Sequence, residues 1–444
     1  MSYADRKARK TVIIGLDGVP YGLLEGFSKN GIMPNIAKII SEGNFKKMKS
    51  SLPEISSVAW SSIITGKNPA EHGIFGFTDF APETYRLTFP NFTSLKAAPF
   101  WHQSAKDRHI IINVPSTYPA KDLNGILISG FVSLDLARAV YPDSIIDDLE
   151  SMDYRVDVDS GKAHESLELF LEDLKSTNEA RISAYRHLWK EKWDTFMFVF
   201  TGTDRLMHFL WDAYEEKSHE YRREFINYFD RVDEIIGEIS SSMDCQDGLI
   251  ILSDHGFERL DRDVYINRVL INENFMKLKN GKNAAFGNID YGTKAFALDP
   301  ARIYINRKGK YPRGGVLPED ERSLMAELKS LFEKLEINGK KAIKHIYAKE
   351  EIYKGPYLDR APDLVLVGNK GFNLKASLGS GDIFSKGIFT GKHSYDDAFL
   401  LVRGKKNRDL IPDEPSVYDV FKLVEGLKSG DINKYTEAMD ESVT

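Results

Sequence analysis

The chain has one cysteine, Cys245, in 444 residues. Neither an intrachain disulfide framework nor a thiolate metal cluster can be built from it. That usage fits a reducing compartment, and a cytoplasmic location is the expectation. No run of about 18 apolar residues occurs, so no membrane span is expected, and the N-terminus has no charged-then-apolar secretory pattern. Excess charge of one sign is also missing: 60 Lys and Arg against 66 Asp and Glu leave a formal net charge of -6. A mildly acidic chain without a reader motif gives no reason to expect a nucleic-acid partner. The one basic cluster, residues 6–10, reads as a solvated tail, and the acidic segment 431–444 as a frayed one. There are no internal repeats.

What is present is an ordinary globular composition, 42% hydrophobic and 28% charged, which excludes bulk disorder. Short apolar runs read as buried strands: 11–16 (TVIIGL), 109–114 (HIIINV), 125–128 (GILI), 195–201 (TFMFVFT), 248–253 (GLIILS), 363–367 (DLVLV) and 399–402 (FLLV). Unbroken β-branched and aromatic runs suit strands covered on both faces, as in parallel sheets. Between them lie helical patterns at 168–189, 221–241, 318–335 and 416–427. The alternation predicts an α/β fold, a doubly wound, mostly parallel sheet flanked by helices. Gly-rich turns at Gly281, Gly287 and Gly314–Gly315 interrupt the rhythm. The expected organisation is a core of 11–257 completed by 378–430, with 258–377 as an inserted subdomain.

Three strands end in an aspartate. Asp17 follows TVIIGL, Asp204 follows TFMFVFT after Gly202-Thr203, and Asp254 follows GLIILS. Ligands of open α/β sheets bind outside the carboxyl ends of the strands, so these carboxylates should converge. One such aspartate would be read as a helix cap; three together argue for a site. His255 adjoins Asp254, and His208 lies four residues after Asp204, on the same helix face if a helix starts there. His393 sits in a turn-like Gly-Lys-His-Ser stretch before FLLV. Clustered Asp and His suit Zn²⁺ or Mn²⁺, with Zn²⁺ the first choice; an all-oxygen set would suit Mg²⁺ or Ca²⁺. The segment Pro53-Glu54-Ile55-Ser56-Ser57 leads into a helix predicted over 57–65 and ended by Gly66, placing a serine where backbone N–H groups can bind phosphate. Trp60 and Trp211 read as core, and Lys46-Lys47-Met48-Lys49 as an edge strand with solvated lysines.

These segments, in this order, resemble the alkaline phosphatase superfamily, specifically its type I phosphodiesterase/nucleotide pyrophosphatase branch and related phosphohydrolases and phosphomutases. They are IIGLDG at 13–18, Pro-x-x-Ser at 53–56, TGKNPAEHGI at 65–74, Asp204-x-x-x-His208, Asp254-His255-Gly256 and Gly391-x-His393. The resemblance implies an alkaline phosphatase-like fold and two divalent metal ions. Asp17, Ser56, Asp254 and His255 would hold one; Asp204, His208 and His393 would hold the other. Ser56 would be the nucleophile, with Ser57 as the neighbouring alternative, and His72 would be structural. The implied activity is hydrolysis of a small phosphate mono- or diester through a phosphoserine. A two-metal clamp suits an in-line displacement, and a coordinated hydroxyl is activated at neutral pH.

The pattern also departs from its relatives. Spacing puts Phe77 where nucleotide pyrophosphatases carry a phosphate-binding asparagine, and Val58 and Trp60 where sulfatases need proline and arginine. A phosphomutase would use the same residues up to the second step, with 258–377 as a segment that excludes water. A non-catalytic binding protein on this fold is the third reading, disfavoured because all seven ligand positions hold competent residues.

Overall fold

A computed structural model describes residues 9–279, 285–379, 381–404 and 411–429. Residues 6–8 of the basic cluster, Gly281 and the acidic segment 431–444 lie outside the described residues. The chain divides into two compact units: residues 1–67, 91–257 and 393–444 form the first, and residues 68–90 and 258–392 the second.

The first unit is built on eight strands: β1 (Thr11–Leu16), β2 (Gly43–Met48), β3 (His109–Val114), β4 (Gly125–Ser129), β5 (Val140–Tyr141), β6 (Thr195–Phe200), β7 (Gly248–Leu252) and β8 (Ala398–Arg403). Their order across the sheet is β2-β8-β7-β1-β6-β3-β4-β5. The five strands from β7 to β4 are parallel. β8 runs antiparallel to β7, and β5 antiparallel to β4; β2, paired antiparallel with β8, again runs in the direction of the five. Every residue of β1, β3, β6 and β7 is buried. Both faces are covered, which is why these segments read as unbroken apolar runs. Each fully buried Ile, Val or Phe side chain among them contributes roughly 1.5–3 kcal/mol. β8 is equally apolar yet antiparallel, because a covered strand has the same composition in either direction. β2 is the edge strand anticipated from its lysines, and those lysines are paired: Lys46 with Asp413 at 3.1 Å, Lys47 with Asp397 at 3.2 Å and Lys49 with Glu414 at 2.5 Å.

The longer helices of this unit are α1 (Tyr21–Lys29), α2 (Pro34–Glu42), α3 (Ser56–Thr65), α4 (Leu167–Leu188), α5 (Gly202–Glu215), α6 (Arg222–Ser241) and α7 (Val420–Ser429). α4 starts where Ser166 accepts hydrogen bonds from the N–H groups of Glu168 and Leu169. α6 turns Phe225, Phe229, Val232, Ile235, Ile236 and Ile239 inward at helical spacing. All ten residues of α3 are buried, and it stops at Gly66 in the left-handed conformation. Among the described residues, no helix is long and apolar enough to cross a membrane.

The second unit has its own core, including Tyr85, Phe296, Leu328 and Phe332. Its main sheet is antiparallel, in the order Ala295–Leu298, Arg302–Ile305, Leu364–Gly368, Ile343–Ala348. The run DLVLV therefore forms a strand of this smaller sheet and not of the parallel one. The units also differ from the sequence boundaries at two places: residues 68–90 group with 258–392, and the first unit resumes at His393 rather than near 378. The reason is aromatic packing at long sequence separation. Phe80 packs on Phe296, and Tyr85 stacks on Tyr311 at 6.0 Å.

Candidate active site

β7, β1 and β6 are adjacent and parallel, so their carboxyl ends emerge side by side. Asp17 follows β1, Asp254 follows β7 by one residue, and Asp204 lies in the first turn of α5, just beyond β6. Local bonds lock these positions. Gly18 takes φ +72°, and a Cβ there would lie 3.1 Å from His255 Cε1 and 3.3 Å from Asp204 Oδ1, so a side chain would be strained and crowded. Its N–H donates to Asp254 Oδ1 at 3.1 Å. Thr203, within α5, donates its hydroxyl to the Asp17 carbonyl oxygen at 2.6 Å. Ser50 donates to the Asp254 carbonyl oxygen at 2.7 Å.

All seven residues singled out in the sequence lie in the first unit, in two groups that share a border. In one group, His255 Nε2 is 3.4 Å from Asp254 Oδ2 and 3.7 Å from Asp17 Oδ1. Ser56 Oγ is 3.2 Å from His255 Nε2 and 3.4 Å from Asp17 Oδ1. In the other, His393 Nε2 is 3.1 Å from Asp204 Oδ1 and 3.1 Å from His208 Nε2, and His208 Nε2 is 3.5 Å from Asp204 Oδ1. The rings of His255 and His393 stack with centroids 3.7 Å apart. Two triads have donor atoms near enough to share an ion: Asp17–Asp254–His255 and Asp204–His255–His393. His255 thus borders both groups. Ser56 Oγ lies against this cluster, whereas Ser57 Oγ is buried and, among the described residues, has no hydrogen-bond partner. Trp60 is fully buried and Trp211 nearly so, both as core.

The electrostatics of the two groups differ. Burial, then the neighbouring Asp254 and Asp204, push the Asp17 carboxyl well above its usual range. Burial raises Asp254 to about 7. Burial also acts on Asp204, but His208, His393 and Arg205 together outweigh it and hold its carboxyl well below the usual range. Burial and the neighbouring His393 push His255 down to about 4.

The donor set fits cations. His255 Nδ1 lies 3.1 Å from the Gly256 carbonyl oxygen, and His393 Nδ1 lies 3.0 Å from that of Glu54. Each Nδ1–H is the donor, which leaves Nε2 as a bare lone pair. The His393 lone pair faces Asp204 Oδ1, acceptor against acceptor, and that of His255 has the Ser56 hydroxyl at 3.2 Å besides the carboxylates of Asp254 and Asp17. Asp254 Oδ2 is buried without a hydrogen-bond partner among the described residues. Such an arrangement costs free energy unless a proton or a cation lies between the groups.

A mostly parallel mixed sheet flanked by helices, carrying this carboxylate–histidine cluster at its carboxyl edge, is an alkaline phosphatase-like fold. The chain belongs to the type I phosphodiesterase/nucleotide pyrophosphatase family, whose profile matches residues 11–396, and it is by membership an enzyme of the class acting on phosphoric esters. Among solved structures, phosphonoacetate hydrolase from Sinorhizobium meliloti, in complex with phosphonoacetate, aligns with a TM-score of 0.66 at 16% identity, covering 96% of this chain and 98% of that chain. Murine ectonucleotide pyrophosphatase/phosphodiesterase 5 aligns at 0.56 and 16% identity, covering 95% of each chain. Its human counterpart aligns at 0.55 and 14% identity, with the same coverage. At these identities the likeness is one of fold. No curated protein matches the sequence.

The sequence reading missed the groups behind the ligands: Thr203, Ser50, the Glu54 carbonyl, Arg205 and Asp157. Arg205 adjoins Asp204 and could have been noticed there. Asp157 lies 47 positions before Asp204 and carries no local signal. Phe77 and His72 lie in the second unit; His72 is fully buried and accepts from the Ile74 N–H at 3.1 Å, in keeping with a structural part.

Proposed function

We propose that the chain is a divalent-metal-dependent hydrolase of small phosphate esters in which Ser56 is the nucleophile. The observation that carries this reading is the position of Ser56 Oγ, 3.2 Å from His255 Nε2 at the start of a buried helix. Asp17, Asp254, His255 and Ser56 would hold one cation, and Asp204, His208 and His393 the other; Zn²⁺ is the first choice and Mn²⁺ the second, from the mixed oxygen and imidazole donors. Bound there, the cations would supply positive charge that lowers the serine hydroxyl pKa and offsets charge on the leaving oxygen.

The residues themselves do the rest. The first N–H groups of α3, at Ser56 and Ser57, have no intrahelical acceptor and suit a phosphate oxygen. Ser56 Oγ bonds to phosphorus as the ester oxygen leaves with the electron pair of the broken P–O bond. The serine proton has Asp17 and His255 within reach as acceptors. Water then displaces Ser56 from the phosphoserine, releasing phosphate or a phosphomonoester. Burial of Asp17, Asp254 and His255 keeps competing water away from these groups.

The test is hydrolysis of an aryl phosphate monoester and the matching diester, with Zn²⁺ or Mn²⁺ and again with chelator. Chelator-sensitive turnover of either ester supports the reading, and the preferred ester distinguishes phosphatase from phosphodiesterase. Turnover undiminished in the fully chelated protein would overturn it. An isomerised sugar phosphate in place of free phosphate would assign the same residues to a mutase.

A further inference from the structure

The two oxygens of Asp204 have different partners. Oδ1 faces His393 at 3.1 Å and His208 at 3.5 Å. Oδ2 accepts from Arg205 Nη1 at 2.9 Å. The same guanidinium turns its other edge to Asp157, donating from Nη2 at 2.8 Å and from Nε at 3.3 Å to Oδ2. Its flat face lies over the Phe131 ring, 4.3 Å from the centroid. The Arg205 side chain is only 16% exposed, so these contacts leave it little freedom.

Asp157 is held in turn from α4. Arg181 donates to the backbone carbonyls of Arg155, at 3.2 Å, and of Val156. Its Nη1 also donates to Thr201 Oγ1 at 2.8 Å, and Thr201 is the residue just before α5. Asp173 of α4, 1% exposed, accepts from Arg155 at 2.6 Å and Lys162 at 2.5 Å and from the Asp159 N–H at 2.9 Å. The segment 155–162 is therefore pinned at both ends to a long helix, and Asp157 projects from it onto Arg205.

We infer that Arg205, backed by Asp157, is a positioning residue that turns Oδ1 of Asp204 toward the position of a cation. This rests on the reading of Asp204 as a cation ligand. Arg205 reaches Asp204 through a single N–H, and the opposite edge of its rigid plane, held by Asp157, fixes where that donor points, which a freely rotating ammonium would not do. Its positive charge, on the other hand, disfavours a second cation nearby. Orientation and charge thus push cation affinity in opposite directions, and the sign of the change on removing Arg205 decides which is larger.

The experiment is Mn²⁺ titration of the metal-stripped full chain by calorimetry, with circular dichroism and a thermal midpoint for each variant. Wild type is expected to bind two Mn²⁺ per chain and Asp204→Asn one. Arg205→Met and Arg205→Lys are each expected to raise one Kd about 10–100-fold, the usual effect of losing a partner behind a ligand. Asp157→Asn is expected to raise it less, and to add nothing in the Arg205→Met background. A folded Arg205→Met protein that binds Mn²⁺ as tightly as wild type, or more tightly, overturns the inference. If that variant does not fold, Arg205→Lys decides: it keeps the charge and loses the planar edge that Asp157 holds, so unchanged affinity also overturns it. Two Mn²⁺ retained by Asp204→Asn would remove the ligand reading itself, and the inference with it.

Discussion

The two ends of the central sheet treat buried titratable groups in opposite ways. At the amino end of β3, His109 is fully buried, and among the described residues neither ring nitrogen has a hydrogen-bond partner. Burial, helped by Lys428 and His102 and opposed by Asp107 and Asp194, pushes it down to about 4. The ring sits edge-on to Phe100, with centroids 6.2 Å apart, and stays neutral. At the carboxyl ends of β7, β1 and β6, three carboxylates and three histidines are packed together. Asp204 is kept charged by His208, His393 and Arg205, while Asp17 and Asp254 have no comparable counter-charge. A lone buried histidine is a modest structural cost. A buried cluster with acceptors facing acceptors is a cost that a proton or a bound cation relieves, and that kind of imbalance marks functional sites.

Four substitutions would break or sharpen this contrast. The largest effect is expected from Ser56→Ala, which should lower chelator-sensitive ester hydrolysis by about 10⁴-fold or more while metal content stays near that of wild type. Activity within tenfold of wild type would move the nucleophile elsewhere. His109→Leu tests the opposite end. A histidine whose folded pKa is depressed lends stability above its unfolded value of about 6.5 and loses it as pH falls toward about 4. Wild type should therefore lose about 3 kcal/mol more than His109→Leu between pH 7 and pH 4, by urea unfolding of the chelated proteins. Parallel pH curves would mean that His109 is not neutral in the fold. The smallest change is Asp254→Asn in the chelated protein at pH 8. Removing a buried charge that lacks a counter-charge should raise stability by about 1–3 kcal/mol, whereas Asp204→Asn, which strips His208, His393 and Arg205 of their partner, should lower it by about 3 kcal/mol. The same sign for both would show that the two groups are not electrostatically different.

Much of the fold was legible because it is written locally. β1 and β3 begin and end where their apolar runs do, and α3 stops at Gly66, one residue after its last buried threonine. The convergence of Asp17, Asp204 and Asp254 was legible too, since parallel strands put all their carboxyl ends on one edge. Strand direction was not, because β8 is as apolar as its parallel neighbours. Nor was the company kept by residues 68–90: the packing of Phe80 and Tyr85 joins residues some 200 positions apart, and helix or strand periodicity carries no trace of it.

By itself, the sequence determined where the core strands lie and which aspartates and histidines follow them. Those are properties of neighbouring residues and of the register in which a strand becomes a turn. Only the tertiary structure decided which oxygen of Asp204 faces the histidines, which imidazole nitrogen of His255 and His393 is left bare, and that Asp157 stands behind Arg205. His393 with Glu54 and Asp204, and Asp157 with Arg205, meet across long stretches of chain, while His255 with Gly256 and Asp204 with Arg205 are neighbours whose orientation the surrounding fold imposes. Their orientation follows from what packing brings within about 3 Å, and a linear pattern of residues does not encode that distance.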